Sequence, residues 1–215
     1  MQNHIKELIS QGEHQRLDFK FEISDSKKIS RTLVAFANTD GGTLLVGVKD
    51  NGALAGVRSE EEFFMVEAAA SMYCKPEISF VSKSWKVKGK TILEIIIPKS
   101  SDRPYTALND EGKWMAYIRV DDENILANSV LLRVWEKKAG KRNTTIRFTE
   151  KEKILLSYLE INMGITLSKF CKIAKIKRKQ AEAILVNMII IRVIRIEFTK
   201  TGILYRLNLI ESNSF

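Results

Sequence analysis

The stretch Phe36-Ala37-Asn38-Thr39-Asp40-Gly41-Gly42 and the run that follows it, residues 43–48, constrain this chain more than any other feature. Ile29, Leu33, Phe36 and Ala37 recur at helical spacing behind a cap at Asp25 or Ser26, and the two glycines offer the left-handed backbone that stops a helix. Residues 43–48 are short, apolar and β-prone, as in a strand buried within a sheet, and Asp50-Asn51-Gly52 reads as the turn that leaves it. A chain built this way must carry a helix directly into a central strand. The same stretch admits a functional reading, in which backbone amides around Asn38, Thr39, Gly41 and Gly42 meet a phosphate and Asp50 projects a carboxylate into a site.

The flanking segments read as wrapped around that core. Asn3 caps a first helix with Ile5, Leu8 and Ile9 on one face, and Leu17, Phe19 and Phe21 alternate with Asp18 and Lys20 as in a strand. The two charges therefore share the face opposite the apolar one. Residues 53–57 read as a short strand and 60–74 as a helix capped by Ser59. Hairpins are expected at 78–87 with 91–97 and at 105–108 with 114–120, and Asn128 caps a helix that runs to 138. Gly89-Lys90-Thr91 ends like a P-loop, but the required first glycine falls at Ser84 and the tripeptide sits in a hairpin, so no nucleotide motif stands.

Residues 139–147 are a short basic polar linker that separates an expected domain 1–138 from a second, 148–215. In the second, Thr149 and Glu152 form a capping box, helices follow at 166–174 and 177–190, and strands 192–198 and 203–209 close as a hairpin. Three helices and a hairpin read as a winged helix-turn-helix, whose third helix enters the DNA major groove. Lys177, Arg178, Lys179 and Gln180 occupy its first turn, Ala181, Ile184, Leu185 and Met188 face inward, and Lys200 stands at the wing tip. The fold class expected is thus α+β, a mixed-sheet domain plus a small winged-helix domain.

Charge divides along the same line. Residues 1–137 carry 19 Lys+Arg against 20 Asp+Glu, a net of −1, and residues 138–215 carry 16 against 6, a net of +10, which together make the +9 of the whole chain. A basic excess of that size, confined to one part, points to a polyanionic partner, DNA first and RNA second. No apolar run reaches 18 residues and no signal-peptide pattern opens the chain, so a cytoplasmic protein without membrane contact is expected. Cys74 and Cys171 read as reduced structural thiols, and with only His4 and His14 beside them a four-ligand zinc site is not expected.

Glu13 followed by Leu17-Asp18-Phe19-Lys20, the segment from Phe36 to Gly42 with its strand and Asp50-Asn51-Gly52, and Ala116-Tyr117-Ile118-Arg119-Val120 together closely resemble the Schlafen/AlbA-type DNA-binding domain over residues 9–135. The resemblance implies a transcriptional regulator, since this domain is often followed by a winged-helix segment in bacteria and archaea. On that reading no cofactor is expected, and Lys20 and Arg119 are nucleic-acid contacts or ion-pair partners. It also implies an alternative, a metal-dependent RNA endonuclease, because some Schlafen proteins use three acidic residues whose positions match Glu13, Asp18 and Asp50. Hard oxygen ligands of that type suit Mg²⁺ or Mn²⁺. Asp18 stands where the nuclease has Glu, and this chain has one copy of a fold that occurs there as two facing copies. A homodimer is therefore expected, with Trp85, Ile95 or Trp114 as anchors. A third reading is an oligomerisation or ligand-sensing module with a DNA-binding tail.

Overall fold

Period-two alternation in the central strands sorts apolar side chains onto two faces, and helices cover both. A computed structural model of the chain describes residues 2–140, 148–199 and 202–208 and divides into two units, Met1–Ala127 and Asn128–Phe215.

In the first unit, α1 (Gln2–Gln11) precedes β1 (Leu17–Lys20), α2 (Ser26–Asn38) and β2 (Gly42–Val46). After α3 (Glu61–Met72) and the two-residue β3 (Cys74–Lys75) comes the hairpin of β4 (Val81–Val87) and β5 (Lys90–Ile97). The main sheet has the order β1-β2-β5-β4, with β1 parallel to β2 and the other pairs antiparallel. Leu44 and Val46 of β2, with Leu93, Ile95 and Ile97 of β5, pack under Ile29, Leu33 and Phe36 of α2 and Val66 and Ala69 of α3. Leu45 and Ile92 point the other way, against Leu17, Phe19 and Ile5 of α1. Buried Glu94 pins that helix to the sheet, with Oε1 at 2.8 Å from His4 Nε2 and Oε2 accepting from Trp85 Nε1 at 2.8 Å.

Four short strands complete the unit: β6 (Thr106–Leu108), β7 (Trp114–Met115), β8 (Tyr117–Val120) and β9 (Glu123–Leu126). β3, β6 and β7 form one small sheet, and β8 pairs with β9 across a turn at Asp121, whose φ is 53°. The expected continuous strand 114–120 is thus split at Ala116, because its two halves hydrogen-bond to different partners. The expected strand 53–57 is a turn closed by the Gly47 carbonyl, which accepts from both Ala55 N and Gly56 N, with one isolated bridge at Val48 and Leu54.

In the second unit, α4 (Ser129–Ala139), α5 (Glu150–Ile161), α6 (Leu167–Ala174) and α7 (Arg178–Ile190) are followed by an antiparallel hairpin of β10 (Ile194–Thr199) and β11 (Gly202–Leu207). The expected capping box of Thr149 and Glu152 opens α5. Val130 and Val134 of α4, one turn apart, are buried in the core that also holds Leu155, Leu159, Phe170 and Leu185. The division consequently falls one helix before the expected boundary at 138. Most of the expected linker, residues 141–147, lies outside the described residues.

Cys74 is buried and free, and burial pushes its thiol up to about 12, while Cys171 is half-buried and also free. Among the described residues no helix is long and apolar enough to cross a membrane.

Candidate nucleic-acid interface

The chain enters α7 through a tight turn. Lys175 takes a left-handed conformation at φ 51°, Ile176 N donates back to the Cys171 carbonyl at 3.1 Å, and Lys177 lies extended as the N-cap. That geometry turns Ala181, Ile184, Leu185 and Met188 into the core and leaves Lys177, Arg178, Lys179 and Gln180 all exposed, as the spacing predicts. Three cations at a helix N-terminus oppose the helix dipole, and this turn has no acidic residue to offset them. Arg178 is paired with Glu182, whereas among the described residues Lys177 and Lys179 form no ion pair. Sequence reasoning overlooked Lys169 and Lys172, which stand exposed one turn apart on α6. The signal was available as an i, i+3 pair of lysines on an amphipathic helix. The expected wing-tip residue, Lys200, lies outside the described residues.

The acidic residues of the first unit are arranged differently from a metal centre. Asp18 shares the register of Leu44, so its side chain projects to the α2 side of the sheet, and that face is covered: Asp18 is only 3% exposed. Its Oδ1 lies 3.1 Å from Arg119 Nη2 and its Oδ2 2.9 Å from Lys20 Nζ. Arg119 is buried as well, stacks over the Phe36 ring at 5.3 Å, and also donates to the Leu17 carbonyl and to Asn124 Oδ1. Arg119 is thus ion-paired with Asp18, and its guanidinium is withdrawn from solvent. Lys20 remains partly exposed but is engaged by the same carboxylate.

Glu13 joins this cluster. Its Oε1 accepts from Phe19 N at 2.8 Å, and burial, reinforced by the neighbouring Asp18 carboxylate, raises its pKa. Asp50 lies apart on an exposed turn. The structure thus brings together Glu13 and Asp18 of the expected trio and leaves Asp50 outside. Among the described residues no group of three His, Cys, Asp or Glu could hold a metal ion. With both Asp18 oxygens taken by cations, the donor set as it stands does not fit Mg²⁺ or Mn²⁺.

The helix-to-strand turn is equally occupied. Asn38, 1% exposed, donates through Nδ2 to the carbonyls of Tyr105 and Tyr117 and accepts from Tyr105 N through Oδ1, so one amide ties α2 to the starts of β6 and β8. Thr39 Oγ1 donates to the Ala35 carbonyl and accepts from Arg119 N. Gly41 N caps α2 by donating to the Phe36 carbonyl. Of the two glycines only Gly41 is left-handed, at φ +71°. Gly42 is needed for a different reason, since a Cβ there would enter the Phe36 ring. The Asn38 and Thr39 side chains and the Thr39 and Gly41 amides are therefore engaged inside the fold.

One consequence is measurable. A Cβ on Gly41 would come within 2.8 Å of the Ile97 carbonyl oxygen and Lys99 N, both backbone atoms, while Gly12 has a similar φ of +69° and nothing within 4 Å. Gly12→Ala is expected to cost only the left-handed penalty of about 1–2 kcal/mol. Gly41→Ala adds a displacement of β5 and should lower the urea midpoint of the first unit well beyond that; equal shifts for the two variants would refute the close-approach argument.

A mixed-sheet α+β domain whose helix-stop signature is welded to its outer hairpins by Asn38 and Thr39 defines the first unit. Residues 13–128 match the family described as Schlafen, AlbA_2, and the chain belongs to that family. The match ends where α4 begins, so the second unit is outside it. Several solved structures are similar to the chain, and two of them show how far the likeness extends. One is the DIP2311 protein of Corynebacterium diphtheriae, at 16% identity, covering 88% of this chain and 34% of that one, with a TM-score of 0.47. The other is the N-terminal domain of a protein of Nitrosomonas europaea named as related to the ATP-dependent DNA helicase RecG, at 23% identity, covering 59% of this chain and 94% of that one, with a TM-score of 0.40. The chain therefore spans about a third of the first of these. No curated protein matches it.

Proposed function

We propose that the chain is a nucleic-acid-binding protein, specifically a DNA-binding transcriptional regulator that docks duplex DNA through α6 and α7 of a winged helix-turn-helix. The observation that carries this reading is the exposed, dipole-opposed cluster Lys177, Arg178 and Lys179 at the head of α7, two of whose cations have no ion-pair partner among the described residues. Local helix stability does not explain such a cluster, and binding to phosphate does. The net +10 of residues 138–215 and membership of the Schlafen, AlbA_2 family agree with it. Lys169, Lys172 and Lys175 extend the basic surface on the same two helices and their turn.

Full-length protein should bind a short DNA duplex with a steep log-log salt dependence. The slope should become shallower by about 0.9 for each phosphate that is no longer neutralised, so that Lys177→Ala with Lys179→Ala flattens it. Binding that ignores salt, or a slope unmoved by the double variant, removes the reading. Repeating the titration with structured RNA and with Mn²⁺ separates it from the endonuclease alternative, for which cleavage abolished by Asp50→Ala would be the decisive result. The homodimer belongs to the same proposal. Ile95 is fully buried and the Trp85 indole is bound to Glu94, which leaves Trp114, 42% exposed, as the remaining anchor. Sedimentation giving only monomer at micromolar concentration would remove it.

A further inference from the structure

Arg178 differs from its two lysine neighbours in being held from behind. Its Nε lies 3.0 Å from Oε1 of Glu182, one helical turn on, while the side chain as a whole is 71% exposed. A guanidinium bound through Nε keeps its two terminal nitrogens free in a planar fork, the edge that engages a phosphate or a guanine bidentately. Among the described residues those two nitrogens have no partner.

Glu182 is itself held. It is 8% exposed, its Oε1 also accepts from Ser129 Oγ at 2.7 Å, and its Oε2 lies 3.6 Å from Arg133 Nη1. Burial raises its pKa, but the Ser129 hydroxyl, Arg178 and Arg133 outweigh that and hold the carboxyl below its ordinary range, so it is ionised at neutral pH. Ser129 and Arg133 both belong to α4, which is fastened further by Asn128 Nδ2 to Tyr205 Oη at 3.1 Å and by Lys137 Nζ to Asn187 Oδ1 at 2.7 Å. The helix that leaves the Schlafen, AlbA_2 region thus reaches the leading turn of α7 through two residues.

We propose that Ser129 and Glu182 are positioning residues for Arg178, and that α4 is a strut which sets sequence discrimination by α7. This rests on the DNA-binding reading above. Lys177 and Lys179, unsupported in this way, supply charge, whereas Arg178 supplies a fixed donor geometry.

The test uses the full chain, a duplex recovered by selection from a randomised library, and a scrambled duplex of equal length. Arg178→Lys keeps the charge and should leave the salt slope unchanged while lowering the ratio of the two affinities about tenfold. Glu182→Gln should lower the ratio about tenfold too, and Ser129→Ala about fivefold, a hydrogen bond's worth. In the Arg178→Lys background Glu182→Gln should have no further effect. The proposal is overturned if Glu182→Gln and Ser129→Ala, shown folded by thermal melting, leave the ratio unchanged or weaken both duplexes equally, or if Glu182→Gln acts as strongly without Arg178. Wild-type protein that binds neither duplex would instead sink the DNA-binding reading itself.

Discussion

Asp18→Ala is expected to destabilise the first unit by about 3–5 kcal/mol, the cost of breaking a buried ion pair by removing one partner. The reason lies in what remains. The Arg119 side chain is 1% exposed and would keep the Leu17 carbonyl and the Asn124 amide oxygen, which satisfy donors but carry no charge. Lys20 can swing to water; Arg119, held over Phe36, cannot without opening the domain. Asp18→Asn should cost less than Asp18→Ala, because the amide preserves volume and an acceptor. Urea unfolding of the full chain reads this, and an unshifted midpoint for Asp18→Ala would refute the buried pair. The same argument governs any nuclease assay: loss of cleavage in Asp18→Ala would report unfolding as readily as chemistry, whereas exposed Asp50 can be replaced without that confusion.

The second large effect is expected at Asn38. Asn38→Ala strands the part-buried carbonyls of Tyr105 and Tyr117 and the Tyr105 amide, at up to about 1–3 kcal/mol per unsatisfied group. Asn38→Asp should not rescue it, since a carboxylate would keep the bond from Tyr105 N but face the two carbonyls with negative charge. A phosphate-binding role makes the opposite prediction. Were Asn38 a ligand to nucleic acid, Asn38→Ala would retain its melting temperature and lose DNA affinity. Melting and duplex titration on one sample distinguish the two, and unchanged melting with weakened binding would overturn the structural assignment.

Legibility from sequence followed how local each interaction is. The cap at Asp25, the box at Thr149 and Glu152, the inward stripe of α7 and the hairpin of β4 and β5 were readable because each depends on residues a few positions apart. The helix stop before β2 was readable too, although its two glycines act differently: Gly41 by conformation, Gly42 by its closeness to a ring six residues earlier. Strand alternation correctly put Asp18 and Lys20 together on the face opposite Leu17 and Phe19. That this face is covered depends on β8, about a hundred residues away, and no local pattern carries that information. Likewise α4 has an apolar stripe that says it must be buried without saying in which unit.

Sequence by itself determined the order of elements, the uneven division of charge, the exposed cations of α7 and the motif that marks the family. Each is a property of one segment or of composition. Only the tertiary structure decided that Arg119 and Asp18 neutralise each other indoors, that Asn38 and Thr39 are joints of the fold, that Asp50 stands apart from Glu13, and that Ser129 braces the helix bearing Arg178. For the three that are pairings the physical reason is the same. A polar side chain is defined by the partner that satisfies it, and here those partners lie about fifty to a hundred residues away along the chain.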